Sequence, residues 1–148
     1  MTFSLVARCV RTGQFGMAIS SSSPAVAARC AHVRAGVGAV ASQNVTDPAL
    51  GPLILDRLAE GLDAVAALEA VTAGRAHIDY RQLLVVDRAG GTAIHSGGQV
   101  LGIWGEAVGR DCAAGGNLLA NDGIPATMVA AFEAATGHLG ERLLRALE

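Results

Sequence analysis

A chain of 148 residues is long enough to bury one substantial core and is read as a single domain spanning 1–148. Hydrophobic residues make up 51% of it but aromatics only 3%, so Ala, Val, Leu and Gly must fill the core, which favours closely packed layers. A formal net charge of −2, with eleven scattered basic residues that are all arginine, leaves no basic footprint for nucleic acid or an anionic membrane.

No apolar run approaches the roughly 18 residues of a membrane span. The start lacks an apolar stretch long enough for a signal peptide, so the expected compartment is the cytoplasm. The opening residues alternate from Thr2 onward, with Phe3, Leu5, Ala7 and Cys9 on one side and Ser4, Val6, Arg8 and Val10 on the other. That is the period of a strand. Chain ends fray unless a sheet holds them, so a strand here draws attention to the end itself. If Met1 is removed, Thr2 carries a hydroxyl and a free α-amine on one residue. An amine of unperturbed pKa about 7.7–8.0 is close enough to neutrality to act as general base for that hydroxyl. This is the plan of an N-terminal-nucleophile hydrolase. The competing reading is a second-position threonine with no role beyond its strand.

Arg11-Thr12-Gly13-Gln14 reads as a tight turn and Phe15 to Ser20 as the returning strand of a hairpin. Ser20 to Ser23 and Pro24 form a loop that can cap a short helix over 25–33. Gly36 to Gln43 is small and apolar until its polar end, as a buried strand would be. Its exit through Gln43, Asn44 and Asp47 gathers polar groups where sites tend to sit. Ile54, Leu58, Leu62, Val65 and Leu68 recur at three and four residues, and Gly61 and Asp63 divide that pattern into helices over about 50–60 and 64–73.

A second hairpin pairs 81–87 with 92–97 around Arg88-Ala89-Gly90-Gly91. Two further short strands are expected over 99–104 and 106–114. Gly115-Gly116-Asn117 then leads to a helix that Pro125 starts on Ile124, Met128 and Phe132, and a last helix carries Leu139, Leu143 and Leu147. The Gly-Gly pair lacks the spacer and Gly-Lys of a Walker loop, which argues against nucleotide binding. Cys9, Cys30 and Cys112 are too few and too dispersed for a disulfide framework. Cys30 and His32 alone do not make a metal site, and neither a metal nor a cofactor is expected. His95 is read as a structural residue of its strand. Helices segregated from antiparallel strands make the chain α+β.

The ordered blocks MTFSLVAR, GMAISSSSPAV, RAGVGAVASQNVTDPALGP, GLDAVAALEAV, RQLLVVDRAGGTAIHSG and GGNLLANDGIPATMVAAFEAA resemble an Ntn-hydrolase-like family known as domain of unknown function 1028, over essentially the whole chain. The resemblance implies a four-layer αββα sandwich like that of proteasome β subunits, with Thr2 as nucleophile. It matches the end of GVGAVASQN to the segment whose backbone amides form an oxyanion hole, which puts Gln43 and Asn44 near the site. It likewise puts Gly116 and Asn117 beside the nucleophile. Proteasome-type sites carry an acidic residue after the second strand and a lysine at the start of the third. Those neighbourhoods here hold Ser20 and Arg34, and the chain has no lysine. Arg34 can lower the amine pKa by repulsion but cannot shuttle a proton, because arginine stays charged. Family members continue past the helix ending near Leu147 into more strands, so the resemblance implies either a short member, its sandwich incomplete at the C-terminus, or strands supplied from elsewhere, and bare sheet edges would favour a homo-oligomer.

The first functional expectation is therefore an amidohydrolase that cleaves a small linear or cyclic amide, its partner being a small-molecule substrate. The second is an Ntn-like binding or assembly domain without catalysis. A third places the nucleophile among Ser20–Ser23 or at Cys30, with His32 or His95 as base, and lacks the GxSxG elbow.

Overall fold

The computed structural model describes residues 1–148. Its strands are β1 (Thr2–Arg8), β2 (Phe15–Ser21), β3 (Ala31–Arg34), β4 (Gly38–Asn44), β5 (Arg81–Asp87), β6 (Thr92–Ser96), β7 (Gly105–Gly109) and β8 (Cys112–Asn117). They form two antiparallel four-stranded sheets, ordered β2-β1-β8-β7 and β3-β4-β5-β6. The helices are α1 (Ala27–Cys30), α2 (Leu50–Ala59), α3 (Ala64–Thr72), α4 (Ile124–Ala134) and α5 (Leu139–Arg145), with a 3₁₀ turn at Ile78–Tyr80. The chain is α+β, as the separation of helices from antiparallel strands predicts.

The alternation of β1 decides where each sheet looks. Leu5 and Ala7, with Cys112 and Ala114 of β8, pack against Met128, Phe132, Leu139 and Leu143 of α4 and α5. Val40, Leu83, Val85 and Ala93 pack on the other sheet against Leu50, Ile54, Leu58, Leu68 and Val71 of α2 and α3. The opposite faces of the two sheets meet through Val6, Ala39, Ala41, Leu84, Val86 and Ala113. Those side chains are small, so the sheets lie close together. A Cβ added to Gly115 would stand 2.9 Å from Leu84 Cδ2, so glycine there permits that approach.

The helices expected over 50–60 and 64–73 form at Leu50–Ala59 and Ala64–Thr72, and Asp63 caps the second by accepting from Ala66 N–H at 2.8 Å. Three expectations are corrected. The helix expected over 25–33 is one turn, Ala27–Cys30, after which the chain extends into β3 and pairs with β4. Edge pairing outweighs the weak propensity of an Ala-rich tetrapeptide, because a short helix gains little from its own hydrogen bonds. No strand forms over 99–104. That segment spends its backbone groups on neighbours, Gln99 N–H on Asp79 O at 2.8 Å and Leu101 and Ile103 carbonyls on the N–H groups of Leu118 and Leu119. The stretch 106–114 is split into β7 and β8 by a turn through Asp111, whose φ is +59°. No helix is long and apolar enough to cross a membrane.

Candidate functional site

Thr2 is opposite Ser21 of β2 and Asn117 of β8. Directly opposed residues of antiparallel strands share a face, so these three side chains form a row on the face that looks toward the other sheet. The Thr2 hydroxyl is 2.9 Å from Ser21 Oγ. Ser21 Oγ also accepts from Ser23 N–H at 3.1 Å, which leaves it one lone pair and its own proton, so either hydroxyl of the Thr2–Ser21 pair can donate. Met1 extends β1 by one position. Its carbonyl accepts from Ser22 N–H at 3.3 Å and its amine donates to Ser22 Oγ at 3.4 Å.

Behind this row lies a hydrogen-bonded network between the sheets. Ser4 Oγ donates to Gln43 Oε1 at 2.6 Å, and Gln43 Nε2 donates to Gln82 Oε1 at 2.9 Å and to Gly115 O at 3.1 Å. Asn117 Nδ2 donates to the same Gln82 Oε1 at 3.3 Å. Gln82 Nε2 is 3.1 Å from Ser96 Oγ, which donates to Glu106 Oε2 at 2.7 Å. Ser4, Gln43, Gln82 and Asn117 are all within 2% of complete burial, whereas Glu106 is exposed. Buried amides carry a large desolvation cost unless they are paired. Here they pair with one another, so Asn117 is held in one orientation beside Thr2 and the chain of amides reaches solvent at a carboxylate.

Thr2 and Asn117 are thus neighbours, and Gln43 is linked to Asn117 through Gln82, at one end of the layer between the sheets. The other expected site residues add no side chain to this row. Ser20 is opposite Phe3, whose ring packs toward α4 and α5; its neighbour Ser21 occupies the place beside Thr2. Gly116 does lie beside Thr2, but through the backbone: a Cβ there would meet Thr2 O at 3.0 Å, Phe3 Cβ at 3.1 Å and Leu119 Cδ2 at 2.7 Å, on the face opposite the Thr2 hydroxyl. Asn44 has a φ of +73° and clasps the neighbouring loop, Nδ2 donating to Tyr80 O at 2.6 Å and Oδ1 accepting from Leu101 N–H at 3.2 Å. Arg34 stands at the far end of β3, opposite Gly38, and its guanidinium is paired with Asp56 of α2 at 2.9 Å. It does not meet Thr2, because β3 turns that side chain onto α2 rather than into the layer between the sheets.

The histidines do not assemble a base with the serine loop. His95 Nε2 lies 3.2 Å from Ile78 O, on the face that α3 covers. The ring of His32 sits where a Cβ on Gly51 of α2 would be, and burial holds its pKa below the usual 6.5. Cys30 Sγ is 3.6 Å from Thr46 Oγ1. No group of three or more His, Cys, Asp or Glu side chains is arranged to hold a metal ion.

Sequence reasoning missed Ser4, Gln82, Ser96 and Glu106, and reached Ser21 only as one of the Ser20–Ser23 run. A signal for two of them was present. Ser4 and Gln82 are polar residues inside strands that are otherwise apolar on both faces, and a polar residue there needs a buried partner.

Residues 2–148 match the model of a family described as "Family of unknown function (DUF1028)". The search of curated proteins found no match. Among solved structures, the crystal structure of protein SPO2555 from Silicibacter pomeroyi, attributed to the same family, is similar with a TM-score of 0.94 at 30% identity. The match covers 99% of this chain and 65% of that one, so this chain spans about two thirds of the relative's length.

Proposed function

We propose that this chain, which belongs to the DUF1028 family, is an N-terminal-nucleophile hydrolase of the four-layer αββα type that cleaves a small linear or cyclic amide. The observation that carries the reading is the position of the Thr2 hydroxyl, 2.9 Å from Ser21 Oγ and opposite Asn117, at the end of a satisfied polar network between the sheets. Met1 is 47% exposed, and its removal loses the sheet a single backbone bond, from Ser22. Thr2 then presents its amine and its hydroxyl together. Thr2 Oγ1 attacks the substrate carbonyl while the amine takes the hydroxyl proton and passes it to the leaving nitrogen. The carbon–nitrogen bond breaks, an ester to Thr2 remains, and water hydrolyses it. Ser21 orients Oγ1. The Asn117 amide has a second N–H to offer the developing oxyanion while Gln82 holds the first.

One observation favours a non-catalytic binding or assembly domain of the same fold. No ionised side chain is bonded to Thr2 Oγ1, and Arg34 is committed to Asp56. The test is the intact mass of protein made without an N-terminal tag, followed by a broad amide-directed electrophile. Loss of Met1 with an adduct on Thr2, abolished in Thr2→Ala, supports the hydrolase. Retained Met1 with no adduct leaves the binding domain.

A further inference from the structure

A sizeable concave space lies away from Thr2. A cavity of about 710 Å³ opens at the other end of β1, lined by Arg8, Arg11, Arg110, Asp111, Glu133 and Arg142 among others. The length of β1, about 20 Å at roughly 3.3 Å per residue, separates it from the nucleophile. We propose that this cavity is a binding site for a small dianion, a molecule bearing a phosphate or two carboxylates, independent of the reaction at Thr2.

Charge is the first argument. Four guanidiniums face two carboxylates, and the surplus of two positive charges matches a dianion. The acids are already engaged: Asp111 with Arg8 at 2.7 Å, and Glu133 Oε1 with the backbone N–H of Arg110 at 2.7 Å. Arg11 and Arg110 are exposed and form no ion pair within the chain, so their forks are open to a ligand. Arginine's planar donors suit phosphate and carboxylate in two-point contacts.

Preorganisation is the second. Arg142 is fixed on the cavity wall, its guanidinium 4.0 Å over the ring of the fully buried Phe132 and its Nη2 donating to Phe132 O at 3.2 Å. Its Nε–H is buried with no acceptor. A buried charged donor without a partner is rare and destabilising, and an anion in this cavity would both receive donors from that guanidinium and offset its desolvation. The volume lies within the range of small-molecule sites, about 300–1,000 Å³, and exceeds what one inorganic anion fills.

The experiment is calorimetric titration of the whole chain with inorganic phosphate and, separately, with succinate, at pH 8 and constant ionic strength. Expected is saturable one-to-one binding of at least one probe, accompanied by a rise in melting temperature. Phosphate alone binding assigns a phosphorylated ligand, and succinate alone a dicarboxylate. Arg11→Gln and Arg110→Gln should each weaken binding about tenfold or more, since each removes charge-assisted hydrogen bonds. Both residues are exposed and unpaired, so the variants keep the fold. No saturable binding of either probe, or binding that survives both substitutions unchanged, overturns the proposal. Reaction of Thr2 with electrophile is a separate readout and does not bear on it.

Discussion

Gln82→Leu tests the polar network at its centre. Leucine nearly conserves the volume, so the loss is read as hydrogen bonding rather than as a cavity. The wild-type amide accepts from Gln43 Nε2 and Asn117 Nδ2 and lies within donor distance of Ser96 Oγ. In the variant Gln43 keeps Ser4 and Gly115 O, but one of its N–H groups and the Asn117 amide lose their acceptor. Each buried polar group left unpaired costs about 1–3 kcal/mol, which for two groups predicts a loss of about 2–6 kcal/mol. Against a total stability of about 5–15 kcal/mol the variant folds over most of that range. With a urea slope of about 2 kcal/mol/M, the midpoint should fall by about 1–3 M at unchanged slope. The chain's one tryptophan, Trp104, is in the loop that leads into β7 and reports the transition by fluorescence. Released from Gln82, Asn117 should also lose its fixed orientation, and the rate of electrophile capture at Thr2 should fall with it. A change below about 0.5 kcal/mol would refute the reasoning, since it would mean that the amides are not relying on one another.

Three further outcomes are expected. Gly51→Ala adds helix propensity of about 0.8–1.0 kcal/mol, but its Cβ would meet His32 Cδ2 at 2.1 Å. Net destabilisation of about 1–3 kcal/mol should follow and should be largely removed by adding His32→Ala; destabilisation that persists in the double variant would locate the strain elsewhere. His32 has a pKa lowered by burial, so the unfolded chain takes up its proton more readily than the folded one. Stability should be complete above about pH 6.5 and fall as the pH drops through the histidine range, and urea midpoints from pH 7.5 to 5.0 should decline less steeply in His32→Leu. Equal slopes would deny His32 a part in acid sensitivity. Asp87, 4% exposed, accepts from the N–H groups of Ala64, Ala89 and Gly91 at 2.8–2.9 Å and ties the start of α3 to the β5–β6 turn. Asp87→Ala should lose about 3–5 kcal/mol in chemical denaturation, and a loss under about 1 kcal/mol would mean that solvent replaces the carboxylate.

Elements whose pattern is self-contained could be read from the sequence. Ile54, Leu58 and Leu68 mark α2 and α3 because helical spacing and the Asp63 cap are local facts, but Val65, read as part of the same apolar stripe, is exposed, and Ala64, Ala67 and Val71 take the buried face with Leu68. The same holds for the hairpin around Arg88-Ala89-Gly90-Gly91. β3 was illegible because its extended form exists only through pairing with Gly38–Ala41, a contact that leaves no mark on the four residues themselves. The segment 99–104 misled for the opposite reason. Val100, Leu101, Ile103 and Trp104 have strand-like composition, yet their backbone partners are Asn44, Leu118 and Leu119, and no ladder is available.

The site was legible by segment and illegible by face. A resemblance places a neighbourhood near a nucleophile, but a strand sends alternate residues to opposite sides, and a shift of one position exchanges the facing sheet for the helices. Ser20 and Gly116 were each one residue from a position that faces the second sheet, held by Ser21 and Asn117. Parity could have separated the serines: the turn expected over Arg11–Gln14 pairs even with odd residue numbers, so Thr2 meets Ser21 or Ser23 and never Ser20. What parity cannot supply is which side of β1 faces the second sheet, because Leu5 and Val6 are equally apolar and both fully buried. The polar residues resolve it. The apolar layer between the sheets, Val6 and Ala113 against Ala39, Ala41, Leu84 and Val86, gives way toward Thr2 to Ser4, Gln43, Gln82 and Asn117. Polar side chains at successive inward positions of three strands are tolerated only where they meet one another, so Ser4, Gln43 and Gln82 together mark the end at which the sheets stop being a dry core.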